Sequence, residues 1–370
     1  MSCVHNVKKY FNIKGFCMTT YYDGTKLLSL KDIDGNTPEI FICTTNRTGG
    51  KTTFWNRWAF NKYLEGKGKF CLIYRYSNEL KSVADKFFKD INTLFFPEFS
   101  VTAESRSDGQ FMELFCTNIR DGENVLPRPI GYAVALNNAD AVKKNSHLFS
   151  DVNRMIFDEF QSESKHYCSN EIEKFQSIHV SIARGQGKQV RYVPVIMISN
   201  PVSLINPYYV AMGISQKLKT DTKFLRGQGY VLEQGYIESA SLAQKESGFN
   251  KAFKKSNYLN YASEAVYLND SLAFIEKVKG KSRYIATIRY KGVEYGIREF
   301  ADLGILYCDD RPDTTYPYKL SITTQDHDIN YVMLKKNEMF VLNMRYFFEK
   351  GCFRFKDLMC KEVILKMLSF

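Results

Sequence analysis

The sequence predicts an α/β domain built on a largely parallel sheet, followed by a smaller α+β domain. Three observations carry this. Short apolar runs of strand length, at 39–43, 70–74, 153–157 and 190–198, alternate with stretches of helical periodicity. Beyond about residue 258 the pattern changes to residue-by-residue alternation around the turn Lys291-Gly292. Between the two lies a stretch rich in Lys, Gly, Gln and Ser. The expected organisation is a first domain over 1–215, a linker or small helical subdomain over 216–257, and a second domain over 258–370.

Taken in order, residues 1–38 are mixed and polar, with turns at Asp23-Gly24 and Asp34-Gly35. The run 39–43 reads as a buried strand. A polar, glycine-containing turn spans 44–52. From Thr53 the apolar residues Phe54, Trp55, Trp58, Ala59, Tyr63 and Leu64 fall at helical spacing until Gly66. A second strand at 70–74 and a helix over 79–94 follow. Residues 99–137 alternate and turn at Ser107-Asp-Gly109 and Asp121-Gly122, the pattern of a hairpin or meander. The strand at 153–157 ends in Asp158-Glu159, a helix covers 170–183, and the strand at 190–198 ends at Ser199-Asn200. In the second domain 283–290 and 293–300 form a hairpin, 303–308 and 319–323 add strands, and two helical stretches close the chain.

Fifty-one Lys and Arg against 40 Asp and Glu leave a formal charge of +11, which points to an anionic partner: nucleic acid, nucleotide or acidic membrane. The apolar runs are too short to span a bilayer and the N-terminus carries no secretory pattern, so no membrane partner is expected. Nine cysteines, an odd number without a C-x-x-C pair, lie partly inside strand-like runs, as Cys43 and Cys71 do. They read as reduced core thiols of a cytosolic protein. The five histidines lack ligand spacing, so no structural zinc is expected.

The chemistry concentrates at strand ends. The string Thr45, Asn46, Arg47, Thr48, Gly49, Gly50, Lys51, Thr52 follows the P-loop pattern G-x-x-x-x-G-K-[ST], between a strand and a helix as that motif requires. Its backbone N–H groups and the following helix N-terminus cradle phosphates; Lys51 meets the β- and γ-phosphates of ATP and Thr52 ligates Mg²⁺. Thr45 stands where the pattern has glycine, a departure because threonine suits unusual dihedrals poorly. Alone, the loop also reads as a glycine-rich turn with an incidental lysine.

The strand ending in Asp158-Glu159 supplies what a Walker B motif needs. Asp158 holds the Mg²⁺ shell and Glu159 polarises the attacking water. Alone, the pair also reads as a solvated strand end. Together with the P-loop it points to an ATPase of the additional-strand, catalytic-glutamate class and away from GTPases that position water with glutamine. Ser199-Asn200, closing the next strand, can sense the γ-phosphate.

The segments 155–160, Ser199-Asn-Pro-Val-Ser-Leu-Ile-Asn-Pro-Tyr208, Tyr74-Arg-Tyr-Ser-Asn-Glu-Leu80, 290–307 and 320–326 together resemble the encapsidation ATPases of small protein-primed tailed phages. These are terminase-like podovirus motors with a prohead RNA. The likeness covers most of the chain after about residue 39, and the Ser199–Tyr208 string is its most specific part. It implies a homopentameric ring at the portal vertex of a prohead, in contact with portal, prohead RNA and double-stranded DNA, with ATP bound between neighbouring subunits. It places Arg47 on the family's loop arginine and Arg184 on its trans-acting arginine finger. Lys143 or Lys144 falls on a basic residue that also reaches the neighbour's nucleotide. Read alone, Arg184 is a helix-end cation facing the helix dipole. The implied location is the host cytoplasm, transiently at the portal vertex and not in the mature virion.

The resemblance further implies that the second domain is an RNase H-like nuclease in vestigial form, acting as a DNA-binding module. A working nuclease of this kind needs carboxylates clustered around metal ions. The candidates are Asp309, Asp310, Asp313, Asp326 and Asp328, and Asp309-Asp-Arg-Pro-Asp313 reads better as a turn. Lys277, Lys279, Lys281 and Arg283 surround a glycine and suit DNA phosphates, although a solvated charge run looks the same. Two other readings stand beside the motor: a nucleotide or small-molecule kinase, which the acidic pair and the extra domain do not suit, and a nucleic-acid-binding scaffold with a degenerate P-loop, which Thr45 favours.

Overall fold

The computed structural model describes residues 20–369 apart from 122–125, 216, 220–221, 254–255, 265–266, 269, 271 and 335–336. The chain divides into two compact units. One holds the chain up to Ser203 together with Lys219–Asn269; the other holds Leu204–Leu218 and Asp270–Phe370.

In the first unit, β1 (Ile40–Thr44), β2 (Lys69–Tyr74), β3 (Phe99–Arg106), β4 (Phe111–Asn118), β5 (Arg128–Ala135), β6 (Val152–Asp158), β7 (Val195–Ser199), β8 (Phe224–Gly227) and β9 (Tyr230–Gln234) form one sheet. Its order is β3-β4-β5-β2-β6-β7-β1-β9-β8. The six central strands, β5 to β9 in that order, run parallel. The antiparallel pair β3–β4 and the short antiparallel β8 close the two edges. The near-continuous apolar runs of β1, β2, β6 and β7 reflect burial on both faces, as parallel sheets require. The helices are α1 (Thr25–Ser29), α2 (Lys51–Leu64), α3 (Val83–Phe95), α4 (Ala139–Lys144) and α5 (Glu171–Ile182); then, after α6 (Pro207–Ala211) of the second unit, α7 (Glu238–Glu246), α8 (Gly248–Ala252) and α9 (Asn257–Glu264). Trp55, Ala59 and Phe60 of α2 and Phe87, Phe88 and Ile91 of α3 bury against one face of the sheet.

The sheet order positions the site. The strand before the P-loop and the strand ending in Asp158 are not neighbours, because β7 is inserted between them. This is the additional-strand arrangement. Thr44 pairs with Ser199, and Asp158 with Ile198, so the functional strand ends emerge along one edge of the sheet. Ligands of open α/β sheets bind at that edge.

The stretch 216–257, expected to be a linker or small helical insert, supplies β8 and β9 to the main sheet as well as α7 and α8. β9 pairs with β1 along its whole length, and Val231 and Leu232 are fully buried. Four buried residues, Tyr230 to Glu233, make a strand too short to outweigh the polar composition around them. The strand expected at 190–198 begins only at Val195, because Pro194 has no N–H to give a ladder.

The second unit carries β10 (Arg283–Tyr290), β11 (Val293–Phe300), β12 (Ile305–Asp309), β13 (Lys319–Ser321), β14 (Val332–Met333) and β15 (Phe353–Phe355), with α10 (Glu338–Glu349) and α11 (Leu358–Leu368). Its order is β14-β13-β10-β11-β12-β15. An antiparallel meander β10–β11–β12 is extended by β13 and β14 in parallel with β10. That is the RNase H-like arrangement. Ile288, Ile297, Leu306, Leu320, Val363 and Ile364 lie in its core.

Candidate active site

The P-loop is built by packing more than by glycine content. Its positive φ values fall at Thr48 (61°) and Gly50 (84°). Thr45 is not among them, so threonine in place of the motif's first glycine carries no backbone strain. Thr45 is fully buried, with its hydroxyl donating to the Asn46 carbonyl at 3.0 Å. Gly49 is required for another reason: a Cβ there would stand 2.9 Å from Ile237. α2 starts at Lys51, so its first-turn N–H groups face the loop without intrahelical partners.

The key side chains converge. Lys51 Nζ donates to Asn200 Oδ1 at 2.5 Å, and burial lowers the lysine's pKa. Thr52 Oγ1 donates to Asp158 Oδ2 at 3.0 Å. One hydroxyl and one carboxylate, both hard oxygen donors, fit Mg²⁺, which takes one or two carboxylates and completes its shell with phosphate and water. Burial raises the pKa of Asp158, opposed by Lys51. Burial also raises that of Glu159, and the neighbouring Asp158 adds to it.

Glu159 sits just past β6 with its backbone at φ 56°. A left-handed non-glycine residue costs roughly 1–3 kcal/mol and persists only where its surroundings over-determine it. Its N–H donates to Asp158 Oδ1 at 2.9 Å, and Phe160 N–H donates to the Ile198 carbonyl at 3.2 Å. The residue is exposed as a whole, while its carboxyl is partly desolvated at the wall of a cavity of about 350 Å³ that it lines with Thr52, Tyr74, Glu79 and Asp158.

On the other side of the loop, a cavity of about 540 Å³ is lined by Arg47, Thr48, Lys51 and Asn200 from the sheet side. Phe249, Phe253, Tyr258 and Leu259 line it from α8, α9 and the residues between. Lys51 thus faces one cavity and Thr52 the other. Arg47 forms an ion pair with Glu163, and its guanidinium lies 5.5 and 5.7 Å from the rings of Tyr258 and Tyr261. Asn46 does not face the cavity. Its amide donates to the Ile237 and Ser263 carbonyls at 3.0 and 3.2 Å and accepts from Ile237 N–H at 2.9 Å. That side chain ties the loop to the start of α7 and the end of α9, so only its backbone is open to phosphate.

A model of the family described as Podovirus DNA encapsidation protein (Gp16) matches residues 17–369. This chain belongs to that family. The DNA packaging protein of Bacillus phage phi29 is 21% identical over 325 residues, covering 86% of this chain and 90% of the relative. That of Bacillus phage B103 is 24% identical over 326 residues, covering 86% and 93%. A chain of the bacteriophage Phi-29 viral genome packaging motor assembly superposes with a TM-score of 0.67 at 21% identity, covering 94% of this chain and 99% of that one. Membership bears out the resemblance and the expected class, a P-loop ATPase fold with a second domain.

In this encapsidation protein Arg184 and Lys144 lie far from their own chain's Glu159. Arg184 follows α5 on an exposed loop where Gly185, Gln186 and Gly187 have φ of 104°, 54° and 74°. It donates to the Ser146 hydroxyl. Lys144 ends α4 two residues before that serine, and both Lys143 and Lys144 are exposed. Gln186 bonds the Ser150 carbonyl at 2.8 Å and Arg191 that of Val152 at 3.0 Å, so the loop lies at the start of β6. Glu159 follows its end. Seven strand residues at about 3.3 Å each separate the two by roughly 20 Å.

In the second unit Lys277, Lys279 and Lys281 are exposed, and Arg283 pairs with Glu299 at 2.7 Å. The acidic candidates are each engaged by protein. Asp309 accepts from Arg298 at 2.9 Å, Asp310 pairs with Lys356, and Asp328 pairs with Arg289 at 2.7 Å. Asp326 accepts from the N–H groups of Lys291 and Gly292 at 2.8 and 2.7 Å, closing the β10–β11 turn. Asp313 accepts from Thr315.

Sequence reasoning missed Glu163, Tyr258, Tyr261, Phe249, Phe253 and Arg75. The aromatic spacing Phe249, Phe253 was a usable signal, because two aromatics four residues apart share a helix face. It falls inside the stretch expected to be a linker or small helical insert.

Proposed function

We propose that this encapsidation protein is the ATP-hydrolysing motor that drives double-stranded DNA into a viral prohead, working as a ring of identical subunits, five in number. The observation that carries the ATPase chemistry is the Thr52–Asp158 hydrogen bond at 3.0 Å, which joins the P-loop to the acidic strand end across the inserted β7. Lys51 binds the β- and γ-phosphates, the loop N–H groups and the α2 N-terminus hold the phosphate chain, and the aromatic wall of the larger cavity receives the base. Thr52 and Asp158 would hold Mg²⁺, whose charge would offset that of the phosphate oxygens. Glu159, held at the cavity wall, takes a proton from the attacking water. Arg47 leaves Glu163 for the phosphates when nucleotide binds.

The ring reading rests on position. Arg184 is about a strand length from its own Glu159, yet its exposed loop is bonded to Ser146, two residues past the Lys144 end of α4, and suits a neighbour's nucleotide. In the second unit the exposed lysines 277, 279 and 281 contact DNA phosphates, and the carboxylates already paired with Arg298, Lys356 and Arg289 leave that unit without nuclease activity. The partners proposed are double-stranded DNA, further copies of the chain, the portal and the prohead RNA. The site of action is the host cytoplasm, transiently at the portal vertex, with the protein absent from the mature virion.

ATP turnover measured with and without double-stranded DNA and proheads tests this. The motor gives turnover that rises with DNA or proheads. Phosphate transfer to a small acceptor would identify a kinase instead, and absence of turnover a scaffold. Mn²⁺-dependent nicking of plasmid that disappears on Asp309→Ala would restore the nuclease.

A further inference from the structure

We infer that Arg75 is a positioning residue for Glu159, fixing the catalytic carboxylate from behind by binding the backbone that carries it. The inference rests on the role given to Glu159 above. Arg75 follows β2 directly, on the strand next to β6, and its side chain is 9% exposed. Its Nη2 donates to the Phe160 carbonyl at 2.7 Å and its Nη1 to the Glu159 carbonyl at 3.3 Å. Its Nε meets both carboxylate oxygens of Glu171 at 3.1 Å, and that carboxylate is 2% exposed. Tyr167 and Phe157 face the guanidinium at 5.0 and 5.8 Å.

One planar fork therefore spans two consecutive carbonyls and an anion, a geometry lysine cannot reproduce. Glu171 is itself fixed by accepting from Cys168 N–H at 2.7 Å. The carbonyls of Glu159 and Phe160 point at Arg75, while the two N–H groups bond Asp158 and Ile198. The left-handed turn is held at four points, and the Glu159 side chain is pushed out into the cavity with Thr52 and Asp158. Arg75 itself does not line that cavity, so its effect on the reaction passes through Glu159.

The test is steady-state ATP hydrolysis by the full chain with double-stranded DNA present, alongside ATP affinity and melting temperature. Arg75→Met combined with Glu171→Gln removes the fork without leaving a buried charge unpaired. It is expected to fold and to bind ATP like the parent, with kcat reduced on the order of 10²-fold, the size of effect an ångström-scale misplacement has. Arg75→Lys regains part of that rate, because the ammonium still reaches one carbonyl. If the double variant does not fold, Arg75→Lys decides alone, with kcat down on the order of 10-fold at unchanged ATP affinity. A folded variant with parental kcat overturns the inference, as does ATP affinity falling in step with kcat, which marks general collapse of the site. Glu159→Gln run in parallel separates the two levels. Parental turnover there removes Glu159 from catalysis, whereas an inactive Glu159→Gln beside an active double variant removes only the role of Arg75.

Discussion

Lys51 Nζ lies 2.5 Å from Asn200 Oδ1, so the P-loop lysine is held by the end of β7. Bringing a buried cation to phosphate exchanges this contact for a charge–charge one. Charge-assisted hydrogen bonds contribute about 1.5–3 kcal/mol, and each 1.4 kcal/mol is about tenfold in affinity. Lys51→Ala is therefore expected to weaken ATP binding by at least about tenfold. Calorimetry showing unchanged affinity would remove the lysine from the nucleotide site.

Glu159→Gln keeps the shape of the site and deletes the base. It should bind ATP as the parent does and lose about 10²–10⁴ in hydrolysis, the usual contribution of a positioned general base. Near-parental turnover would shift the role to another group, such as Glu163 or Glu79, whose charges act on Glu159 alongside that of Asp158.

Glu159 was legible because it closes a short apolar strand, and a run such as 153–157 ending in two carboxylates has few bland explanations; Lys51 was legible from a loop pattern set between a strand and a helix. The order of those strands, with β7 inserted, was legible only as a class. The role of Arg75 leaves no mark in the sequence, because its partners include backbone carbonyls 84 and 85 residues away, and a carbonyl has no residue-type signature. Asn46 was read as a phosphate contact from its place in the loop, whereas its amide is spent on residues 191 and 217 positions distant. β9 was hidden because four buried residues are too few to carry a periodicity.

Asn46 yields a stability prediction. Asn46→Ala deletes a fully buried amide and strands the Ile237 N–H and two carbonyls. Unmade buried hydrogen bonds cost about 1–3 kcal/mol, so a loss of roughly 2–3 kcal/mol is expected, read by chemical denaturation. A change under about 0.5 kcal/mol, the range of ordinary surface substitutions, would mean that the tie between loop and α7–α9 is not structural.

The exposed lysines of the second unit make a salt-dependence prediction. Each phosphate contact adds about 0.9 to the slope of log K against log salt concentration. Replacing Lys277, Lys279 and Lys281 by Gln should make that slope shallower by about 3 for duplex DNA, with little dependence on sequence. An unaltered slope would return the segment to a solvated charge run.

The ring makes the last prediction. Arg184 lies roughly a strand length from Glu159 of its own chain; it donates to Ser146, Gln186 of the same loop donates to the Ser150 carbonyl, and three positive-φ residues follow it. A cis role would demand that this loop cross the sheet from one end to the other. A trans role demands only that a neighbour present its carboxyl edge. An arginine finger contributes about 10³–10⁵ in rate, so Arg184→Ala should abolish turnover in assembled rings while sparing ATP binding. Mixing that variant with Glu159→Gln, two inactive proteins, then places some intact Glu159 sites beside an intact Arg184 from the adjacent subunit, and part of the activity should return. Mixed rings that form and stay inactive would make Arg184 a helix-end cation and remove its loop from the catalytic interface.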